Sequence, residues 1–202
     1  MLAASICAAL AARGERAAAL KPVVTGLDEE VGEWPHDHEL LASAASTGQS
    51  PEEVAPYRFG PAVSPHWAAE LAGVTLEPDR WRPPKGADAL VCEGVGGLLV
   101  PLTPGYLVRD LALDLGLPLV IASRTGLGTI NHTLLTIESA RGAGLRVAGV
   151  VMTPWPEEPK PIESSNRETV ERLGRVKVAG LPPTTPGQLA RAGAALPLDD
   201  WL

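Results

Sequence analysis

The sequence predicts an α/β fold, a mostly parallel sheet with helices on both faces. Three observations carry this prediction. Short apolar runs of strand length alternate with helix-patterned segments along the whole 202-residue chain, as βαβ crossovers require. The runs are bounded by Gly and Pro and are too brief for free-standing helices. Several end in charged or Gly-rich segments, and a parallel sheet gathers all its strand C-termini on one edge. Residues 1–202 read as one domain, with no internal repeat and no interdomain linker.

Residues 2–12 are Ala-rich and helix-prone, and Gly14 ends them. Residues 17–20 form a short apolar strand leading into Lys21-Pro22. The chain thus opens helix-first, whereas an α/β chain normally begins with the strand its first helix packs on. Residues 25–35 are a polar loop. Residues 37–45 read as a helix with Asp37 and Glu39 in the first turn, where acids suit the helix dipole. Residues 49–65, broken by Pro51, Pro56, Pro61 and Pro65, are expected to be mostly irregular. Residues 65–71 follow as a short helix with Ser64 as N-cap, Pro65 first and Gly73 as stop.

Residues 77–86 are polar and Pro-rich. Residues 89–92 are expected to be a buried strand, running into Glu93 and then Gly94, Gly96 and Gly97. Residues 107–115 read as a helix ending at Gly116, 119–122 as a strand, 129–142 as a helix and 147–152 as a strand. Four prolines within residues 154–161 predict a loop. Residues 164–173 then form a helix, 176–179 a strand and 188–195 a last helix.

Composition narrows the function. The formal net charge of −7 disfavours broad binding to nucleic acid or anionic membrane. Cys7 and Cys92 are the only cysteines and suggest neither a disulfide framework nor zinc spacing, so a reducing cytoplasm is expected. No apolar run reaches membrane-spanning length, and the N-terminus lacks the basic lead-in of a signal peptide.

The candidate site residues cluster at strand ends. Lys21 is either a point charge for a phosphate or carboxylate, or a solvated lysine. Asp37 and Glu93 are a possible pair of hard oxygen ligands for Mg²⁺, although from the residues alone Asp37 reads first as a plain helix N-terminal acid. Glu93 needs a partner if it ends a buried strand. The glycines after it let backbone N–H groups approach anionic oxygens, or they form an ordinary turn. Gly126-Leu127-Gly128-Thr129 before a helix resembles an anion site to which Asn131 and His132 could add donors; the alternative, and the commoner use, is Thr129 as a simple N-cap. His36 and His38 flank Asp37 in what reads as a surface segment. No G-x-x-x-x-G-K-[ST] phosphate loop occurs.

Five ordered segments resemble the dethiobiotin synthetase family. They are Lys21-Pro22-Val23-Val24-Thr25-Gly26, Ser64-Pro65-His66, Glu93-Gly94-Val95-Gly96-Gly97, the Gly126-Leu127-Gly128-Thr129-Ile130-Asn131-His132 turn, and Gly180-Leu181-Pro182. The resemblance implies a P-loop NTPase-like sheet in a homodimer. It implies ATP- and Mg²⁺-dependent closure of the ureido ring of dethiobiotin from 7,8-diaminopelargonate and CO₂. On that basis Lys21 is the catalytic charge and Thr25 binds substrate. Asp37 and Glu93 hold Mg²⁺, and Glu93, Gly94, Val95 and Gly96 lie along the nucleotide. Thr153-Pro154 and Leu181-Pro182-Pro183 flank the adenine. Gly126, Gly128, Thr129 and Asn131 receive the substrate carboxylate. Two departures stand out. The family's first central strand and Walker A loop are missing here, so the domain reads as N-terminally truncated. Thr153-Pro154 stands where the family often has Asn-Asp. The alternatives are an inactive truncated relative that binds the diamine without hydrolysing ATP, or another ATPase of the same broad class.

Overall fold

The computed structural model describes residues 1–30, 32 and 34–202; the loop reading at Val31 and Glu33 lies outside the described residues. Helix α1 (Leu2–Ala12) leads into β1 (Ala17–Leu20), where four small or apolar residues are all buried. After β2 (Val23–Val24) come α2 (Asp37–Ala44), α3 (Pro51–Val54), β3 (Tyr57–Arg58) and α4 (Pro65–Ala72). Residues 49–65 are therefore more ordered than expected. Ser50 accepts the Glu53 N–H, which caps a single turn whose Pro51 sits where no N–H is needed. Tyr57 and Arg58 then pair in parallel with Val23 and Val24.

Next come β4 (Ala89–Cys92), a short antiparallel hairpin of β5 (Pro101–Thr103) and β6 (Tyr106–Leu107), and α5 (Val108–Leu115). The hairpin was not foreseen. The second half runs β7 (Leu119–Ser123), α6 (Thr129–Gly142), β8 (Val147–Met152), α7 (Pro161–Gly174), β9 (Val178–Gly180) and α8 (Leu189–Ala194). Helix α7 begins earlier than expected, because Pro161 starts the helix rather than ending the loop: its ring suits the first helical position. Left-handed Gly73 and Gly116 stop α4 and α5 as read.

Besides the short parallel pair β2–β3, the parallel strands form two blocks, β1–β4 and β7–β8–β9. No strand ladder joins β4 to β7 among the described residues. One layer spans both blocks: Leu10 and Cys7 of α1 and Ala192 of α8 pack with Ala17 and Ala19 of β1, Val91 of β4, Val120 of β7 and Val151 of β8. The α1–α8 contact is so close that a Cβ on Gly193 would sit 1.9 Å from the Ser5 carbonyl oxygen. On the opposite face the blocks have separate cores. Leu20, Tyr57, Trp81 and Leu102 fill one; Ile121, Ile137, Val150, Met152 and Val170 fill the other. Helices thus cover both faces, as the alternation predicts.

Burial differs between the blocks' strands. β1 and the last four residues of β8 are buried, whereas every residue of β4 is only half-buried and Ala122 of β7 is exposed. The expectation of a buried β4 is corrected: among the described residues the strand has a ladder partner on one side only.

Candidate functional site

The parallel register of β1 and β4 builds the centre. Leu20 stands opposite Cys92, so the next residues, Lys21 and Glu93, leave the sheet edge side by side. The Glu93 N–H donates to the Leu20 carbonyl at 2.8 Å and carries the ladder one step further. The Lys21 N–H is held by the Val54 carbonyl at 2.9 Å. Asp37 arrives from the first residue of α2, where Glu39 fixes the helix entry by accepting the His36 N–H at 3.0 Å. The Lys21 Nζ lies 2.5 Å from Asp37 Oδ2 and 2.5 Å from Glu93 Oε1. Lys21 is only 6% exposed, which replaces the solvated reading with a buried, doubly paired cation.

Burial works against charge on Lys21, but the carboxylates of Glu93 and Asp37 outweigh it and hold the ammonium above the ordinary lysine range. Burial likewise opposes ionisation of Asp37, and Lys21 outweighs it, so the carboxyl titrates below its usual value. The trio carries one positive and two negative charges. Each carboxylate gives one oxygen to Lys21 and keeps a second. No group of three or more His, Cys, Asp or Glu forms a metal cage among the described residues. The donor set fits Mg²⁺, which takes one or two carboxylates and completes its shell with water and phosphate oxygens.

The glycines after Glu93 have distinct reasons. A Cβ at Gly94 would sit 2.9 Å from Val108 Cγ1. Gly96 has φ +71, a left-handed backbone that favours glycine. Val95 packs against the β1–β4 core, so it offers the site backbone rather than side chain. Thr25 stands at the end of β2, just before Gly26, whose N–H donates to the Pro61 carbonyl at 3.0 Å.

The 125–128 turn lies at the end of β7. Gly128, with φ 90, is the N-cap of α6, so the N-cap reading of Thr129 is corrected. Thr129 is the first helical residue, 3% exposed, with its hydroxyl 3.4 Å from that of Thr133. Asn131 and His132 remain exposed.

The ends of β8 and β9 meet through Trp155, whose N–H donates to the Leu181 carbonyl at 2.7 Å. Thr153-Pro154 is a cis peptide, and the Thr153 hydroxyl is buried without a partner. Leu181 is fully buried in the α1–α8 layer, so its side chain cannot flank a base; Pro182 and Pro183 are exposed beside it. His38 is buried rather than a surface residue, and burial lowers its pKa.

Two groups escaped the sequence reading. Ser46 Oγ accepts the Ala17 N–H at 2.8 Å, and the Gln49 amide pairs with both backbone groups of Ala19 at 2.9 Å. These side chains stand in for a missing neighbour along the outer edge of β1. Asn166 of α7 holds the 125–128 turn from behind; its signal was an amide, poor in helix propensity, in mid-helix.

The fold and its strand-edge site define a P-loop NTPase-like α/β protein, and a family profile described as an AAA domain matches residues 2–187. The chain is 40% identical over 176 residues to the ATP-dependent dethiobiotin synthetase BioD of Agrobacterium fabrum (strain C58), covering 86% of this chain and 79% of that one. It is 38% identical over 197 residues to the enzyme of that name from Anaeromyxobacter dehalogenans (strain 2CP-1), covering 95% and 86%. The corresponding Bacillus subtilis (strain 168) protein is 35% identical over 168 residues, covering 81% and 72%. The chain belongs to the dethiobiotin synthetase family.

Proposed function

We propose that this protein closes the ureido ring of dethiobiotin from 7,8-diaminopelargonate and CO₂, using ATP and Mg²⁺, in biotin biosynthesis. The observation that carries this reading is the buried Lys21 ammonium clamped between Asp37 and Glu93 at the C-terminal sheet edge. One substrate amine adds to CO₂, forming an N–C bond and releasing a proton to give a carbamate. A carbamate oxygen takes the γ-phosphoryl group of ATP. The second amine then attacks the carbamoyl carbon and expels phosphate, leaving dethiobiotin, ADP and phosphate.

Lys21 is a preorganised cation for the charge that develops on the carbamate and the transferring phosphoryl group. Its two carboxylate partners keep it protonated and aimed while it is out of water. The Thr25 hydroxyl binds the reacting diamine. Asp37 and Glu93 would hold Mg²⁺, which when bound neutralises phosphate charge. The Gly94–Gly96 backbone lies along the nucleotide, with Thr153, Pro154, Pro182, Pro183 and the Leu181 backbone around the base. The 126–131 turn receives the substrate carboxylate by backbone N–H groups and Asn131.

A homodimer suits the surface of α6 and α7, where Leu135 and Leu173 are exposed and Leu127 in the preceding turn is 91% exposed. Two free cysteines and the absence, among the described residues, of a helix long and apolar enough to cross a membrane agree with a cytoplasmic enzyme. Residues 1–202 are one truncated domain in this reading. The unpaired edges of β4 and β7 support an upstream strand bearing a phosphate loop between them. The same edges favour the second reading, a protein that binds the diamine without hydrolysing ATP.

The test is phosphate release requiring diaminopelargonate, bicarbonate, Mg²⁺ and ATP together, measured on this chain and on a version extended upstream. Turnover in the extended protein is expected. A folded extended protein that binds diamine and releases no phosphate overturns the catalytic reading in favour of the second.

A further inference from the structure

The Thr125–Gly128 turn has no regular structure of its own, yet its conformation is fixed from one side. Asn166, in the second turn of α7, is 7% exposed. Its Nδ2 donates to the Thr125 carbonyl at 2.8 Å and to the Gly126 carbonyl at 3.2 Å. Both partners are acceptors only, so the amide nitrogen must face them and the orientation is settled by chemistry.

A trans peptide is planar, and its C=O and the following N–H point in opposite directions. Pulling the carbonyls of Thr125 and Gly126 toward α7 therefore turns the N–H groups of Gly126 and Leu127 away from it. Among the described residues, the N–H groups of Gly126, Leu127 and Gly128 meet no acceptor. They sit at the positive end of the 14-residue α6. Neighbouring contacts reinforce the anchorage. The Thr125 hydroxyl donates to Glu163 of the same helix at 3.4 Å, and the Arg167 guanidinium covers the Trp155 ring at 5.3 Å.

We infer that Asn166 is a positioning residue for substrate recognition: it aims the free N–H groups of the 126–128 turn at the substrate carboxylate without touching the substrate. This rests on the proposed reading of the turn as the carboxylate site. It adds a residue from a different helix, far along the chain, on which affinity for the acid depends. Asp at this position keeps the shape but sets an acceptor against two carbonyls, so the peptide planes must turn and the N–H groups lose their common aim.

The test is calorimetric titration of the full chain with 7,8-diaminopelargonate and with 2,3-diaminononane, in which a methyl group replaces the carboxylate. The wild-type protein is expected to prefer the acid. Asn166→Asp is expected to weaken binding of the acid about tenfold, the scale of losing charge-assisted hydrogen bonds, and that of the diaminononane less than about twofold. Asn166→Ser, which keeps one donor, is expected to fall between, and it replaces Asn166→Asp should that variant not fold. Equal weakening of both ligands assigns Asn166 a purely structural role and overturns the inference, as does no weakening at all. A wild-type protein without preference for the acid instead overturns the reading of the turn, and the inference with it.

Discussion

The two edges of the β1–β4 block are treated in opposite ways. Along the outer edge of β1, Ser46 and Gln49 satisfy backbone groups of Ala17 and Ala19, and every strand residue is buried. Along the other edge, β4 has no strand partner among the described residues, and its four residues stay half-buried. The difference is between an edge closed by side chains and an edge left open. A sheet that ends by design blocks its last backbone groups with side chains, because unpaired groups invite another strand. Among the described residues no side chain bonds the backbone of β4 or of β7, and both strands pack against the α1–α8 layer. In the proposed reading the gap between these edges takes an upstream strand, with Lys21, Asp37 and Glu93 at its mouth.

Removing the charge at the mouth tests the comparison most severely. Lys21→Met in the extended, active protein is expected to lower phosphate release about a thousandfold, in the range of losing a preorganised electrostatic group. Loss under tenfold would place the catalytic charge across the gap rather than on the blocked side. Next comes the layer spanning the gap. Leu10 is 1% exposed in the cluster that holds residues of both blocks, so Leu10→Ala is expected to cost about 3 kcal/mol. Denaturant unfolding followed by hydrogen exchange should show β1 and β8 amides losing protection together. Separate transitions would mean that the blocks do not share a core.

A smaller effect addresses the blocked edge itself. Gln49→Ala removes two hydrogen bonds to Ala19 and is expected to cost about 1–2 kcal/mol, with faster exchange at the Ala19 amide and none added at β4. Unchanged stability would reduce the outer edge to the status of the other one. The smallest effect is the pH response of the trio. Asp37 has a depressed pKa when folded, so its contribution is present above the ordinary carboxylate pKa and is lost as pH falls through the folded value. The stability difference between wild type and Asp37→Asn should therefore shrink on acidification below about pH 4. A difference independent of pH in urea titrations would show that Lys21 leans on Glu93 alone.

Much of this was legible along the chain. Leu2–Ala12, Ala17–Leu20, Thr129–Gly142 and Val147–Met152 follow from local periodicity and from Gly stops, which a folded chain cannot ignore without losing a hydrophobic face. So does the placement of Lys21 and Glu93 at strand ends. The short pieces were not legible: β2, β3, β5 and β6 have two or three residues each, too few for any period to register.

What the sequence determined by itself is the alternation of elements, and with it a parallel sheet whose charged strand ends share one edge. Only the tertiary structure decided how those ends are used. Lys21 meets a carboxylate 72 positions away, and Asn166 reaches a carbonyl 41 positions back. Ser46 and Gln49 close an edge that no local pattern marks. The physical reason is range: periodicity encodes which face of an element is buried, whereas a side chain that pairs with a distant charge or backbone group finds it only when the elements pack.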